Sequence, residues 1–204
     1  GFSDLLVIND DNVAPSKGFG THPHRNMEII SYVLDGALAH EDSMDNGSLI
    51  IPNDIQLMSA GSGVTHSEFN YSELEYVHFL QIWVVPNTVN TTPGYQQLHI
   101  APEDKRGKLH LMVSAQGGEK TLSIKQDINI YAGLFNGNET ATYSMPKDRY
   151  TYVHVAKGSI QINGQHFNTG DAARIRESGD LILSHGDQAE ILIFDMRPNE
   201  IPAM

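Results

Sequence analysis

Short apolar or β-branched runs, separated by turn residues, are the dominant pattern along the chain. No long segment repeats its apolar residues every 3.6 positions, the spacing that is typical of an amphipathic helix. The runs therefore predict closely spaced strands and an all-β fold. Eight strands are predicted, at Leu5–Ile8, Ile29–Leu34, Ile55–Met58, Tyr76–Val85, Leu109–Val113, Ile128–Phe135, Tyr150–Ala156 and Ile191–Met196.

The two halves of the chain share a weak internal similarity. Each half contains a strand, a turn glycine and a second strand, with Gly36 in the first copy and Gly158 in the second. We interpret this as a duplication of one barrel, although any two β-hairpins share such a pattern. The predicted domains are residues 1–97 and 98–197, with a connection within 86–108 and a tail at 198–204.

Composition narrows the range of functions. The formal net charge of -12 argues against a broad basic face for nucleic acid. The chain has no cysteine, which excludes disulfides, thiolate ligands and a cysteine nucleophile, and this is compatible with the cytoplasmic location that we predict. No apolar run approaches the ~20 residues of a membrane span.

Two short motifs place potential metal ligands at alternate positions. His22 and His24 are two residues apart, and residues i and i+2 of a strand point to the same side. His66 and Glu68 repeat the arrangement. If both segments are strands that face one barrel interior, three imidazoles and one carboxylate converge, a set that suits Fe(II), Mn(II), Co, Ni, Cu or Zn. The alternative is that the pair of histidines arose by chance, because a chain with 10 histidines can contain such a pair without a metal site.

These motifs resemble those of the pirin family, a branch of the cupin superfamily. The similarity covers most of Gly1–Pro86 and is looser in the second half. It implies two cupin-type antiparallel β-barrels in tandem, the first of which binds one divalent metal ion. The residues that carry it are Gly20–Arg25, Glu28, Tyr32–Gly36, His40–Ser43, Gly47, Met58–Glu68 and Gln81–Val84.

By this resemblance the metal ligands are His22, His24, His66 and Glu68, with Fe(II) as the favoured ion. Many cupins use instead the glutamate four residues after the second histidine, which is Glu28 in this chain. We favour Glu68 as the ligand and expect Glu28 to orient an imidazole.

Two further expectations concern the surroundings of the metal. The internal repeat places Ser144, Pro146, Leu183 and His185 at the ligand positions of the second barrel, so we expect that barrel to lack a metal. Large apolar side chains could line a pocket around the first site, although ordinary core packing is the simpler role for them. These side chains are Phe19, Met27, Phe69 and Trp83.

The resemblance is strongest to bacterial pirin-like proteins described as quercetin 2,3-dioxygenases. It implies an enzyme that opens a flavonol ring with O₂, with Glu68 as the base for the substrate hydroxyl. The alternative is a metal- or redox-sensing regulatory protein that binds a protein partner, and a third hypothesis is a vestigial site that only stabilises the fold. The resemblance also predicts an aromatic-rich segment ahead of Gly1.

Overall fold

The protein is described by a computed structural model that covers residues 1–199; residues 200–204, most of the predicted tail, lie outside the described residues. The chain divides into two compact units. The N-terminal unit consists of Leu5–His99 together with Ile124–Gln126, and the C-terminal unit contains the remainder, including Gly1–Asp4. The N-terminal residues Gly1–Asp4 therefore belong to the C-terminal unit, and Ile124–Gln126, from the second half of the chain, belong to the N-terminal unit.

Two antiparallel sheets form the N-terminal unit. Its strands are β1 Leu5–Val13, β2 Gly18–His24, β3 Glu28–Asp35, β4 Leu38–Asp42, β5 Gly47–Ile50, β6 Asp54–Ser59, β7 Val64–Asn70, β8 Val77–Val84 and β9 Gly94–His99. One sheet has the strand order β1-β8-β3-β6-β9, and the other has the order β2-β7-β4-β5.

The core of this unit lies between its two sheets. Val33 and Phe79 project from the five-stranded sheet and Leu38 and Ile50 from the four-stranded one, and all of them are buried in one cluster. Strands β3 and β6 are buried along nearly their whole length, whereas β7 alternates buried and more exposed residues. This alternation shows that β7 turns one face to the interior and the other to solvent.

One eight-stranded sheet forms most of the C-terminal unit. Its elements are α1 Pro102–Lys105, β10 His110–Ser114, β11 Leu122–Ser123, β12 Ile128–Phe135, β13 Ala141–Met145, β14 Tyr150–Ile162, β15 Gln165–Asn168, β16 Ala172–Ile175 and β17 Gly179–Met196. The main strand path is β11-β10-β12-β17-β14-β15, while β13 pairs with β17 and β16 pairs with β14. Only the β10–β11 pair in this described sheet is parallel.

The long strand β14 bends at Gly158, the counterpart of Gly36 in the internal repeat. Gly158 has a φ of +67°, and a Cβ atom added there would lie 2.2 Å from the carbonyl oxygen of Asp187. The strand register also shifts around this residue. The bend therefore needs a residue without a side chain, since both the dihedral angle and the space exclude one.

The predicted all-β class is confirmed, and all eight predicted strands are present. The predicted connection, residues 86–108, contains strand β9, which pairs with β6 of the N-terminal unit. Strand β9 is an edge strand of mostly polar, half-buried residues, so it gave no apolar run to detect. No helix of the described chain is long and apolar enough to cross a membrane.

Candidate metal centre

Strands β2 and β7, which pair with each other, carry the four predicted ligands. The two strands are antiparallel, and His22 lies directly opposite His66. Along β7, His66 and Glu68 are each 1% exposed, whereas Phe69 is 42% exposed. The alternation expected of a strand therefore turns His66 and Glu68 to the interior of the N-terminal unit.

Three of the predicted imidazoles converge. The potential ligand atoms of His22, His24 and His66 all lie within 4.8 Å of one another. A second group, formed under the same distance limit, contains His40, His66 and Glu68. The structure thus places Glu68 beside His66 and outside the three-histidine group, and it brings in His40, to which the sequence analysis gave no ligand role.

Hydrogen bonding orients the His22 ring toward His66. Nδ1 of His22 lies 2.7 Å from the carbonyl oxygen of Gly20, so this nitrogen carries the proton and donates it. Nε2 is then the ring nitrogen that is available as a ligand, and it lies 2.9 Å from Nε2 of His66. Two imidazole nitrogens bound at right angles to one ion, each at about 2.1 Å, lie about 3 Å apart, so this spacing fits a shared metal.

The surroundings favour the neutral forms of His24 and His66. Burial, reinforced by neighbouring His22 and His24, lowers the pKa of His66 to about 3. Burial and the nearby His22 lower the pKa of His24 to about 4. Nε2 of His24 is buried without a hydrogen-bond partner in the described chain. At neutral pH His24 and His66 are therefore unprotonated at one ring nitrogen. This neutral form of histidine is the one that binds a metal.

Glu68 is held by donors from the opposite sheet. Ser31 Oγ donates to Oε1 at 3.0 Å, and Gln81 Nε2 donates to Oε2 at 2.5 Å. Burial raises the pKa of Glu68, although these two hydrogen bonds oppose the shift. Both donors stabilise the carboxylate form, and each oxygen retains a second lone pair for a metal or a substrate proton.

His40 is the residue that sequence reasoning missed. It lies on β4 directly opposite Glu68 and is 1% exposed. Its Nε2 is 3.4 Å from Oδ2 of Asp42, and its Nδ1 is buried without a hydrogen-bond partner among the described residues. Burial lowers its pKa despite Asp42. The motif His40–Ser43 was noted, but only the β4–β7 register reveals that His40 faces the site.

Glu28 lies in a different environment. Its Oε2 accepts hydrogen bonds from Ser59 Oγ at 2.8 Å and from the Lys125 backbone N–H at 3.3 Å. Burial raises its pKa. Neither group of converging ligand atoms in the described chain includes Glu28. Its hydrogen bonds connect β3 to β6 and to the segment Ile124–Gln126.

The aromatic residues near the site have distinct roles. Phe69 does not line a pocket around the ligands, because it follows Glu68 on β7 and so lies on the outer face. Trp83 does contact the site, with its ring edge-on to His24 at a centroid distance of 5.1 Å. Met27 and Trp83 pack against the buried cluster around Ile29.

An open surface cavity of about 560 Å³ is lined in part by His24. His24 is the predicted ligand that lines it, and Arg25 adds a positive charge. The size falls within the range of roughly 300–1,000 Å³ that is typical of small-molecule sites. The remaining lining residues are Pro23, Ser43, Gly63, Val64 and Thr65.

The repeat positions of the C-terminal unit differ in their surroundings. Ser144 Oγ donates to Asp180 at 2.8 Å, and the exposed His185 ring contacts the Ser184 hydroxyl at 3.1 Å. Both groups of three potential ligands found in residues 1–199 belong to the N-terminal unit. The absence of a metal from the second barrel stays a prediction.

Comparison with known proteins matches both halves of the chain. Residues 2–84 match the family model described as "Pirin", and residues 111–196 match "Quercetinase C-terminal cupin domain". Quercetin 2,3-dioxygenase of Escherichia coli K12 is 37% identical over 198 residues, which are 97% of this chain and 84% of that protein. A pirin-like protein of Caulobacter vibrioides is 35% identical over 192 residues, which are 94% and 82% of the two chains.

A solved structure agrees with these matches. The crystal structure of the bacterial pirin YhhW from Escherichia coli in complex with nickel(II) superposes with a TM-score of 0.90 at 36% identity, covering 97% of this chain and 84% of that one. These relatives support a metal-dependent function and a divalent ion for the chain. The extent of the matches establishes the family predicted from the motifs: the chain belongs to the pirin family.

Proposed function

We propose that this protein is a metal-dependent dioxygenase that uses O₂ to open the ring of a flavonol such as quercetin, with release of CO. The observation that carries the proposal is the convergence of three imidazoles, with a buried carboxylate beside one of them. The printed names of the relatives supply the substrate class.

We assign the metal to His22, His24, His66 and Glu68. His22 contributes Nε2, since its Nδ1 donates to Gly20. Three imidazoles and one carboxylate suit Fe(II), which we propose as the working ion, and they also accept Mn, Co, Ni, Cu or Zn. When bound, the ion supplies Lewis-acid stabilisation of the substrate anion and electron transfer to O₂.

Glu68 is proposed as the base that takes the proton of the enolic hydroxyl. Burial raises the pKa of Glu68, which makes the carboxylate a stronger base and so suits a group that must accept a proton. Ser31 and Gln81 hold the carboxylate through one lone pair on each oxygen, so a second lone pair can meet the substrate hydroxyl.

The cavity beside His24 is proposed to hold the aromatic rings of the substrate. Its apolar lining suits ring faces, and Arg25 supplies a charge that favours an ionised hydroxyl. The Arg25 side chain is held by the Asn90 side-chain oxygen at 2.8 Å, which restricts where the guanidinium can reach.

The test is anaerobic reconstitution with Fe(II), Mn(II), Ni(II), Co(II) and Cu(II), followed by O₂ uptake and CO release with quercetin. His66→Ala removes a buried proposed ligand, and His166→Ala is the matched control on an exposed ring. Metal-dependent uptake that is lost only in His66→Ala supports the dioxygenase. Stoichiometric metal binding without uptake would overturn it.

A metal-sensing regulatory protein is the second candidate, and one surface favours it. On the outer face of the four-stranded sheet, Leu49 and Phe69 flank Ala39 in register, and both are about 40% exposed. Contiguous exposed apolar surface is a feature of protein contact sites when it is large. A saturable protein complex that changes with the oxidation state of bound iron, without turnover, would support this function.

A further inference from the structure

Gln81 and Trp83 lie on one face of β8. They are two residues apart in the strand, so both side chains point to the same side. The family-like motif Gln81–Val84 thus presents an amide and an indole to the interior, with the apolar Ile82 turned the other way. Neither Gln81 nor Trp83 is a proposed metal ligand.

A chain of hydrogen bonds runs from Trp83 through Gln81 to Glu68. The indole Nε1 donates to Gln81 Oε1 at 3.3 Å, and Gln81 Nε2 donates to Glu68 Oε2 at 2.5 Å. An indole nitrogen can only donate, so it selects the oxygen end of the amide. The nitrogen end of Gln81 must then face the carboxylate.

Ser31 completes the arrangement from the neighbouring strand. It pairs with Gln81 in the β3–β8 register and donates to Glu68 Oε1 at 3.0 Å. Glu68 comes from the four-stranded sheet, whereas both donors belong to the five-stranded sheet. The carboxylate is therefore fixed at both oxygens by the sheet that faces it.

Trp83 also touches the histidine group. Its ring packs edge-on against His24, with an interplanar angle of 85°. Trp83 therefore contacts the proposed ligand His24 directly. It also orients Gln81, which donates a hydrogen bond to the proposed ligand Glu68.

We propose that Gln81, oriented by Trp83, is a positioning residue that fixes the Glu68 carboxylate for metal binding. This inference rests on the proposed ligand set. A carboxylate ligand held at both oxygens enters the site in one orientation, and loss of such an outer partner typically weakens metal binding by roughly 10–100-fold.

The test measures Ni(II) affinity of the metal-free full chain by competition with a chelator. Gln81→Leu removes the donor and should weaken Ni(II) binding by about 10–100-fold. Trp83→Phe keeps a ring against His24 but loses the N–H, so binding should weaken several-fold. Gln56→Leu is the matched control, because Gln56 is a buried glutamine in the same sheet, opposite Ser31, and no hydrogen bond to Glu68 is found for it.

A Gln81→Leu protein that binds Ni(II) as tightly as Gln56→Leu would overturn the proposal. If Gln81→Leu fails to fold by circular dichroism, Ser31→Ala removes the other donor and should shift affinity in the same direction. Glu68→Gln distinguishes an error in the proposed ligand set from an error in the proposed role of Gln81. Unchanged affinity in Glu68→Gln would reject the ligand set itself, whereas a loss there without a loss in Gln81→Leu rejects only the positioning role. The Co(II) absorption spectrum gives a second readout, since it reports ligand geometry without turnover.

Discussion

Replacing Glu68 by Gln should remove most turnover while leaving the fold intact. The structure explains why the fold survives. Trp83 holds Gln81 as a donor, so the new amide must turn its oxygen toward Gln81 and its nitrogen toward Ser31. The Ser31 hydroxyl can rotate to accept that hydrogen bond, because a hydroxyl both donates and accepts.

In Glu68→Gln, the turnover rate should fall much more than the stability of the fold does. Loss of a positioned base slows a reaction by about 10²–10⁴-fold, which corresponds to about 2.7–5.4 kcal/mol at about 1.36 kcal/mol per factor of ten. The three imidazoles remain, so metal binding should fall by less than turnover does. Glu41→Gln is the matched control, since Glu41 is exposed on a strand next to β7.

The assay compares the metal-to-protein ratio with the O₂ uptake rate after anaerobic reconstitution. The expected Glu68→Gln protein is substantially metal-loaded, melts near the wild-type temperature and consumes O₂ at a small fraction of the wild-type rate. A variant that is metal-loaded and fully active would show that Glu68 is not the base.

Two further outcomes are expected for the metal-free protein. His24 and His66 have pKa values near 4 and 3 when folded and 6.5 as the ordinary value, so the unfolded chain binds more protons there and their contribution to stability falls as pH drops from about 6.5 to about 4. Glu28 and Glu68, whose pKa values are raised, act in the opposite direction. Replacing both histidines by Gln should therefore shift the difference in melting temperature between pH 7 and pH 5 toward greater stability at pH 5; an unchanged difference would contradict this. Gly158→Ala should lose more unfolding free energy in urea than Gly164→Ala. Both positions have positive φ, which costs roughly 1–3 kcal/mol, but only at Gly158 would the new Cβ collide with backbone; similar losses would refute the steric argument.

Much of the fold could be predicted from the apolar runs, since each predicted strand contains a continuous β-branched or apolar segment. The two ligand strands had no such run and were predicted only from the parity of His22 with His24 and of His66 with Glu68. Strand β9 escaped detection because an edge strand need not be apolar.

The surroundings of the site were less accessible to sequence reasoning. His40 and Gln81 face Glu68 because of strand register, and register between distant strands is not visible in one sequence. Phe69 is a different case. The parity that turns Glu68 inward also turns Phe69 outward, so its exposure could have been predicted from the same pattern.

The exchange of segments between the two units has a consequence for synthesis on the ribosome. Folding during translation ordinarily proceeds from the first domain to the second. Here the first unit gains Ile124–Gln126 only after Ile100–Ser123 of the second has been made, and until then Glu28 lacks the hydrogen bond from the Lys125 backbone N–H. Asp4 of the second unit accepts two hydrogen bonds from Arg197, which is made 193 residues later. The first unit can be completed only after Gln126 has been made, and the second only after Arg197, so a chain released before Ile124 would leave both unfinished.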